Sequence, residues 1–233
     1  MVGKLHAWRI MGNQCYWWQT VINLCFVVEG YAEENFVKHE LSVYLQSKVS
    51  KTLNIDVQNL QGGILYSKLI DRLRNIAPQY DTVTTLIDLV GLDAAKLDNY
   101  SAIMASSNIS SQDKSLQVQQ LIADAVSCSN VIPHVQPHEF EALCFADIEA
   151  LEQSDPLLAK NKIKIEQILQ SYASNPENIN TTPSKYPAKQ LEKFAYAKGA
   201  SNFALYCDID KIKAKCPHFN RWINQLSETL SLL

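Results

Sequence analysis

Apolar residues recur along this chain in two rhythms. Near-continuous apolar runs over 21–28 (VINLCFVV) and 82–88 (TVTTLID) have the make-up of strands buried on both faces. A less marked run over 55–61 stops at Gly62-Gly63. A short one over 131–135 contains Pro133, which predicts an edge or a bend. Between these runs the spacing turns helical. Residues 33–49 place Phe36, Val37, Leu41 and Leu45 on one side, 66–76 do the same with Leu69, Ile70 and Leu73, and 115–127 reads as another helix. Alternating strands and helices predict an α/β fold, a mostly parallel sheet flanked by helices. Beyond Gln136 the rhythm is helical almost throughout. Helices are predicted over 138–152 (Phe140, Leu143, Cys144 and Leu151 on the apolar side), 160–173, 189–198 and 217–230, the last opening with Pro217. Residues 175–187, rich in Asn, Thr and Pro, read as loop. The organisation predicted is an α/β core over 21–135 with a mainly helical C-terminal extension over 136–233 packed on it.

Residues 1–20 carry Lys4, Arg9 and three tryptophans, but Asn13, Gln14 and Gln19 break up their apolar stretch. The segment therefore reads neither as a signal core nor as a membrane span. A surface-packed or poorly ordered extension, an oligomer contact and a start codon assigned too early are the readings left. Hydrophobic residues make up 47% and charged residues 19% of the 233, a balance that argues against disorder. The net charge of −3 excludes a uniformly basic nucleic-acid protein. Contact with phosphates would need a local patch or a bound metal. The six cysteines are scattered without a C-x-x-C pair. They fit reduced core thiols in a cytoplasmic protein better than disulfides or a zinc site. No G-x-x-x-x-G-K-[ST] loop is present, so the chain does not read as an ATPase itself.

Candidate chemistry lies at the strand ends. Glu29 closes the first predicted strand and Asp88 the third, and ligands of open parallel sheets gather outside the carboxyl ends. Two acids on one sheet edge repel unless a cation or a basic group joins them. Gly30 lets the backbone turn beside Glu29, and Glu33 opens the following helix. Such hard oxygen donors suit Mg²⁺ or Mn²⁺, with the remaining positions shared by water and phosphate oxygens. Each acid has a plainer reading as well. Glu33 and Glu34 are favourable in a first helical turn through the helix dipole alone, and Asp88 could cap a turn with Gly91. It is their joint position at successive strand ends that favours function.

The segment Phe26-Val-Val-Glu-Gly-Tyr-Ala-Glu33 resembles the V-E-G-x-T-E opening of Toprim-related nuclease domains, with Ala32 where threonine is usual. Thr84-Thr-Leu-Ile-Asp88 followed by Gly91 resembles the strand-end aspartate of the same fold. Gly62-Gly63, the string from Pro137 to Asp147 (PHEFEALCFAD), Pro183-Ser-Lys185 and Cys216-Pro-His-Phe219 resemble, more narrowly, the bacterial family called domain of unknown function 4276. That family is related to the Toprim nuclease domains of OLD-type proteins. The resemblance runs from about Ile22 to Leu230 and implies a Toprim-like fold with a divalent-metal phosphodiester site. It implies Glu29 as metal ligand or general acid/base, Asp88 as a magnesium ligand and Glu33 as an additional one. Toprim domains usually carry an Asp-x-Asp pair, whereas Val90 stands here at the second place. Asp93 could replace the missing acid, as could Glu139 or Glu141 from the following helix.

His138 and Glu141, three apart, would share a helix face, as would Glu141 and Cys144. They either line the metal cleft or form a buried polar network that fixes the helix to the core. Lys185 could approach a phosphate as a point charge, or be a solvated lysine or a partner of Glu141. His218, just after Pro217, reads as a cap or core residue. Three functions follow. The first is a Mg²⁺-dependent nuclease on DNA or RNA, which the resemblance places beside an ABC- or AAA-type ATPase in bacterial anti-phage defence. The second is a non-catalytic adaptor or sensor that binds the ATPase or nucleic acid, favoured by Val90 and the acidic net charge. The third is phosphoryl chemistry on a small phosphate. No membrane association is expected, and homo-oligomerisation is open.

Overall fold

The computed structural model describes residues 21–93, 99–179, 185–194, 196 and 202–233. The predicted N-terminal extension, Cys15, and parts of the loop over 175–187 and of the helix over 189–198 lie outside them. Strand β1 (Val21–Val28) is central, with β2 (Thr52–Asn59) on one side and β4 (Thr82–Asp88) on the other. Beyond β4 lie two short pieces, β6 (Val131–Ile132) and β7 (Val135–Gln136), and every pairing is parallel. A separate two-stranded parallel ribbon joins β3 (Ile64–Leu65) to β5 (Leu92–Asp93).

The sheet is central because its inner strands β1 and β4 are buried on both sides, and each side has its own cover. Leu24, Phe26, Val28 and Leu86 face one core and Cys25, Val27, Val83 and Ile87 the other, the alternation a pleat requires. The second core is closed by α3 (Tyr66–Ile76) and α5 (Ser111–Val126), with α4 (Tyr100–Ala105) beside them. The first is closed by a helix in three parts: α1 (Tyr31–Phe36), a π-turn over Val37–Leu41, and α2 (Ser42–Lys48). The C-terminal helices complete it: α6 (Glu141–Ala146), α7 (Ile148–Ser154), α8 (Pro156–Lys160), α9 (Lys162–Ser171), α10 (Pro187–Glu192), α11 (Ile209–Lys215) and α12 (Pro217–Leu232). Among the described residues no helix is long and apolar enough to cross a membrane.

The predicted helix over 138–152 is two helices. Asp147 leaves the helical region (φ −125°, ψ 80°) and turns its carboxylate to the N–H of Ala150 at 3.3 Å and of Asp208 at 3.0 Å. The predicted strand over 131–135 is likewise broken, because Pro133 has no N–H to give the ladder. Threonine hydroxyls of β4 fill the gap. Thr84 Oγ1 donates to the Ile132 carbonyl at 2.7 Å, and Thr85 Oγ1 donates to the His134 carbonyl at 2.7 Å while accepting from His134 N at 2.8 Å.

A buried polar cluster joins this broken strand to α12. The His134 ring stacks on Trp222 at 4.1 Å and 9°, and Trp222 Nε1 donates to Thr84 Oγ1 at 2.9 Å. His218 Nε2 lies 2.8 Å from Gln119 Oε1 and 3.0 Å from the Val135 carbonyl, so His218 is a core residue. The Glu177 carboxylate accepts from the first N–H groups of α12, His218 N and Phe219 N, at 2.9 Å each. Burial outweighs these bonds and pushes the Glu177 carboxyl up to about 7. A carboxyl whose folded pKa lies above its unfolded one holds its proton more tightly in the native state. Its favourable contribution is complete below the ordinary value of 4.5 and is lost as the pH climbs to about 7. Glu177→Ala removes both the cap and this slope. In urea denaturation it should be less stable than wild type at pH 5 by about 1–3 kcal/mol, and the gap should narrow by pH 8.

Candidate active site

Because β1 and β4 are parallel neighbours, Glu29 and Asp88 emerge at the same edge of the sheet. They are joined there: the backbone N–H of Asp88 donates to Glu29 Oε2 at 3.0 Å. Glu29 is half-buried and Asp88 is buried. Asp88 is held in turn by the segment that follows β7, where Phe140 N donates to its Oδ1 at 2.8 Å. The loop after β4 runs alongside the same segment, with Leu89 N bonded to the Gln136 carbonyl at 3.0 Å and Val90 N to that of His138 at 3.2 Å.

Gly91 completes the arrangement. A Cβ at this position would stand 2.5 Å from Glu29 Oε1, closer than real Cβ contacts come. The space that a side chain would occupy at residue 91 is already taken by the glutamate. On the other flank, Gly62 N donates to the Glu29 carbonyl at 2.8 Å. This ties the turn at Gln61, Gly62 and Gly63, all at positive φ, to the same point.

The other expected residues have surroundings of their own. Glu33 folds back to accept from Gly30 N at 3.0 Å, a capping-box contact at the start of α1, and is buried. Asp93 stands exposed in β5, beside Tyr100, whose hydroxyl its charge raises after burial. Among the described residues no group of three His, Cys, Asp or Glu is arranged to hold a metal ion. Glu33 thus caps its own helix, and Asp93 lies opposite Leu65 in the ribbon.

His138 is not helical. It lies before α6 with φ 68°, in the left-handed region, so the predicted helix face shared by His138 and Glu141 does not exist. The turn is what delivers Phe140 N to Asp88. The His138 ring is buried and stacks on Tyr186 at 6.2 Å. Burial first, and then the Lys114 charge, bring its pKa down to about 4, so it is neutral at physiological pH. Ala188 N donates to Glu139 Oε2 at 2.9 Å, which with the Tyr186 stack lays residues 185–188 against 138–139. Lys185 is exposed on this strap. Glu141 is fully buried in α6, near Cys144 and Tyr196, whose ionisation it and Glu33 oppose after burial has done so.

Sequence reasoning did not find the Phe140 amide, Lys114, or the polar cluster of His134, Gln136, Glu177 and Trp222. One signal for the cluster was present. Thr84 and Thr85 interrupt an otherwise apolar buried strand, and buried hydroxyls need partners.

The model of the family described as Domain of unknown function (DUF4276) matches residues 28–227. Among solved structures, the chain is similar to the C-terminal region of the Xanthomonas campestris pv. campestris OLD protein, at 14% identity and a TM-score of 0.44, over 90% of this chain and 96% of that one. It is similar also to the C-terminal region of the Burkholderia pseudomallei OLD protein, at 14% identity and a TM-score of 0.44, over 88% and 98%. No curated protein matches the chain.

The contact at Gly91 predicts a specific coupling. Gly91→Ala should cost about 1–3 kcal/mol through overpacking against Glu29. Most of that cost should vanish in a Glu29→Ala background, where the space is vacant. A double-mutant cycle by urea denaturation measures it, and equal costs in both backgrounds would show that Glu29 is not the obstruction.

Proposed function

The chain belongs to the DUF4276 family, and from that premise we propose that it is a divalent-metal-dependent nuclease hydrolysing phosphodiester bonds of DNA or RNA. The observation that carries this reading is the coupling of Glu29 to Asp88, with Gly91 left without a side chain where the glutamate stands. The backbone bond holds Glu29 beside the strand end that carries Asp88, and a cation at this edge would offset the negative charge of both carboxylates. The donor set fits a hard ion. Mg²⁺ commonly takes only one or two carboxylates and keeps several waters, so Glu29 and Asp88 would hold it without a third acid. When bound, the ion would supply Lewis-acid polarisation of the phosphodiester. The chain's own groups have separate tasks. Glu29 would take a proton from the attacking water at its carboxylate, and a solvent water on the opposite side of the phosphorus would protonate the leaving oxygen. Asp88 is oriented by the Phe140 amide. His138 stays uncharged on the segment that flanks the site, and Lys185 would bring positive charge toward the substrate phosphate.

The Toprim resemblance extends the proposal to its setting, as the effector partner of an ABC- or AAA-type ATPase in cytoplasmic anti-phage defence. Val90, in the place of the second Toprim aspartate, favours a second reading: a non-catalytic adaptor or sensor that binds the ATPase or nucleic acid on the same scaffold. Cleavage of labelled single- and double-stranded DNA and RNA separates the two. Wild type should cut with Mg²⁺ or Mn²⁺ and stop on chelation. Glu29→Gln and Asp88→Asn should each lose about 100-fold or more while unfolding thermally like the parent. No cleavage by wild type, alone or with a co-purifying ATPase, and no metal binding by calorimetry would leave the adaptor.

A further inference from the structure

Three chain segments converge on Glu29: its own turn into α1, the Gly62–Gly63 turn bonded to its carbonyl, and the loop through Gly91 that abuts its carboxylate. Ladder pairing of Ile64 with Leu92 and of Leu65 with Asp93 binds the last two together. Each segment exposes one large apolar side chain. Tyr31 opens α1 at 64% exposure, Leu65 lies in β3 at 41%, and Val90 follows Asp88 at 36%. The segments that meet at Glu29 thus carry three exposed apolar or aromatic side chains, which we term the rim. No atom lies within 4 Å of where a Cβ would stand on Gly62 or Gly63, so bare backbone and open space adjoin Glu29 there.

Resting on the nuclease reading, we propose that this rim receives unstacked nucleobases, with Tyr31 as the stacking platform, and that single-stranded nucleic acid is the substrate class of the site. Phosphates alone have little use for exposed tyrosine, leucine and valine, whereas every base has a π-face that an aromatic ring can stack on. A duplex keeps its bases stacked and paired and presents phosphates instead. Duplex affinity comes chiefly from lysines and arginines that neutralise those phosphates, and an edge bearing Glu29 and Asp88 in a chain of net charge −3 is poorly suited to that task. A single strand brings its bases to the rim and passes its thinner backbone over the glycine turn.

Fluorescence anisotropy with labelled short oligonucleotides tests this in EDTA and again in Ca²⁺, so that binding is read apart from cleavage. Single-stranded DNA, single-stranded RNA and a DNA duplex form the arms, and the first two decide between the sugars. Either single strand should bind at least tenfold more tightly than duplex. Tyr31→Ala should weaken single-strand binding by about tenfold to a hundredfold, Tyr31→Trp should retain it, and duplex binding should not respond. Tyr31 is exposed, and matching thermal unfolding will confirm that its variants fold. Equal affinity for single strand and duplex, or an unaltered Tyr31→Ala, overturns the proposal. Tight single-strand binding by a wild type that never cleaves would sink the nuclease reading and leave the rim. Cleavage of duplex and single strand at equal rates, indifferent to Tyr31, would sink the rim and leave the nuclease. No binding to any oligonucleotide overturns both.

Discussion

The Glu29 carboxylate accepts the backbone N–H of Asp88, and much of the local geometry depends on that bond. It is made across neighbouring parallel strands at the point where their ladder ends, so it extends the pairing of β1 and β4 beyond its last backbone bond. It fixes where a negative charge stands, and therefore what can stand beside it. A side chain at residue 91 would push the Glu29 carboxylate from this position, and the segment after β7 holds Asp88 through the Phe140 amide. His138 takes up a left-handed backbone in the same segment, a conformation uncommon for a residue with a side chain. A sterically unfavourable turn is tolerated next to a buried carboxylate that needs a donor.

The remainder of the molecule keeps this edge in place. A sheet whose central strands are apolar on both faces is stable only between two covers. The cover over the Leu24, Phe26 and Val28 side is largely assembled from residues after Glu141, far along the chain. Those helices do more than hide surface. Trp222 of α12 bonds to Thr84 within β4, and Glu177 holds the first turn of the same helix. The strand that ends in Asp88 is thereby gripped from the ladder on one side and from α12 on the other.

How much of this was legible beforehand follows from where the partners lie. Val21–Val28, Tyr66–Ile76 and Thr82–Asp88 appear with the bounds their apolar patterns predict, because burial of the strands and of one helix face repeats at every turn of the pattern. The pairing of Glu29 with Asp88 at one edge could be anticipated, since parallel strands bring their ends together. The break at Asp147 could not be anticipated, because a principal partner of its carboxylate is the amide of Asp208, distant in sequence. The Phe140 amide was equally hidden, since a backbone N–H has no signature of its own. The role of Gly91 was read as a turn, and its actual cause is a neighbour's side chain. The left-handed turn at His138 left no sign either, as histidine is an ordinary residue at a helix start.

The interrupted strand beside β4 also governs how this sheet can meet other chains. Between β6 and β7 the proline and the threonine hydroxyls replace a regular ladder, so that margin offers no uninterrupted row of peptide groups to an incoming strand. The opposite margin is β2, long and regular, and among the described residues no strand pairs with its outer side. Gln46 blocks it at one place by accepting from Leu53 N at 2.9 Å. Among the described residues, growth of the sheet by strand addition is therefore favoured at one margin over the other, and the side chain of Gln46 is the sentinel at the β2 side.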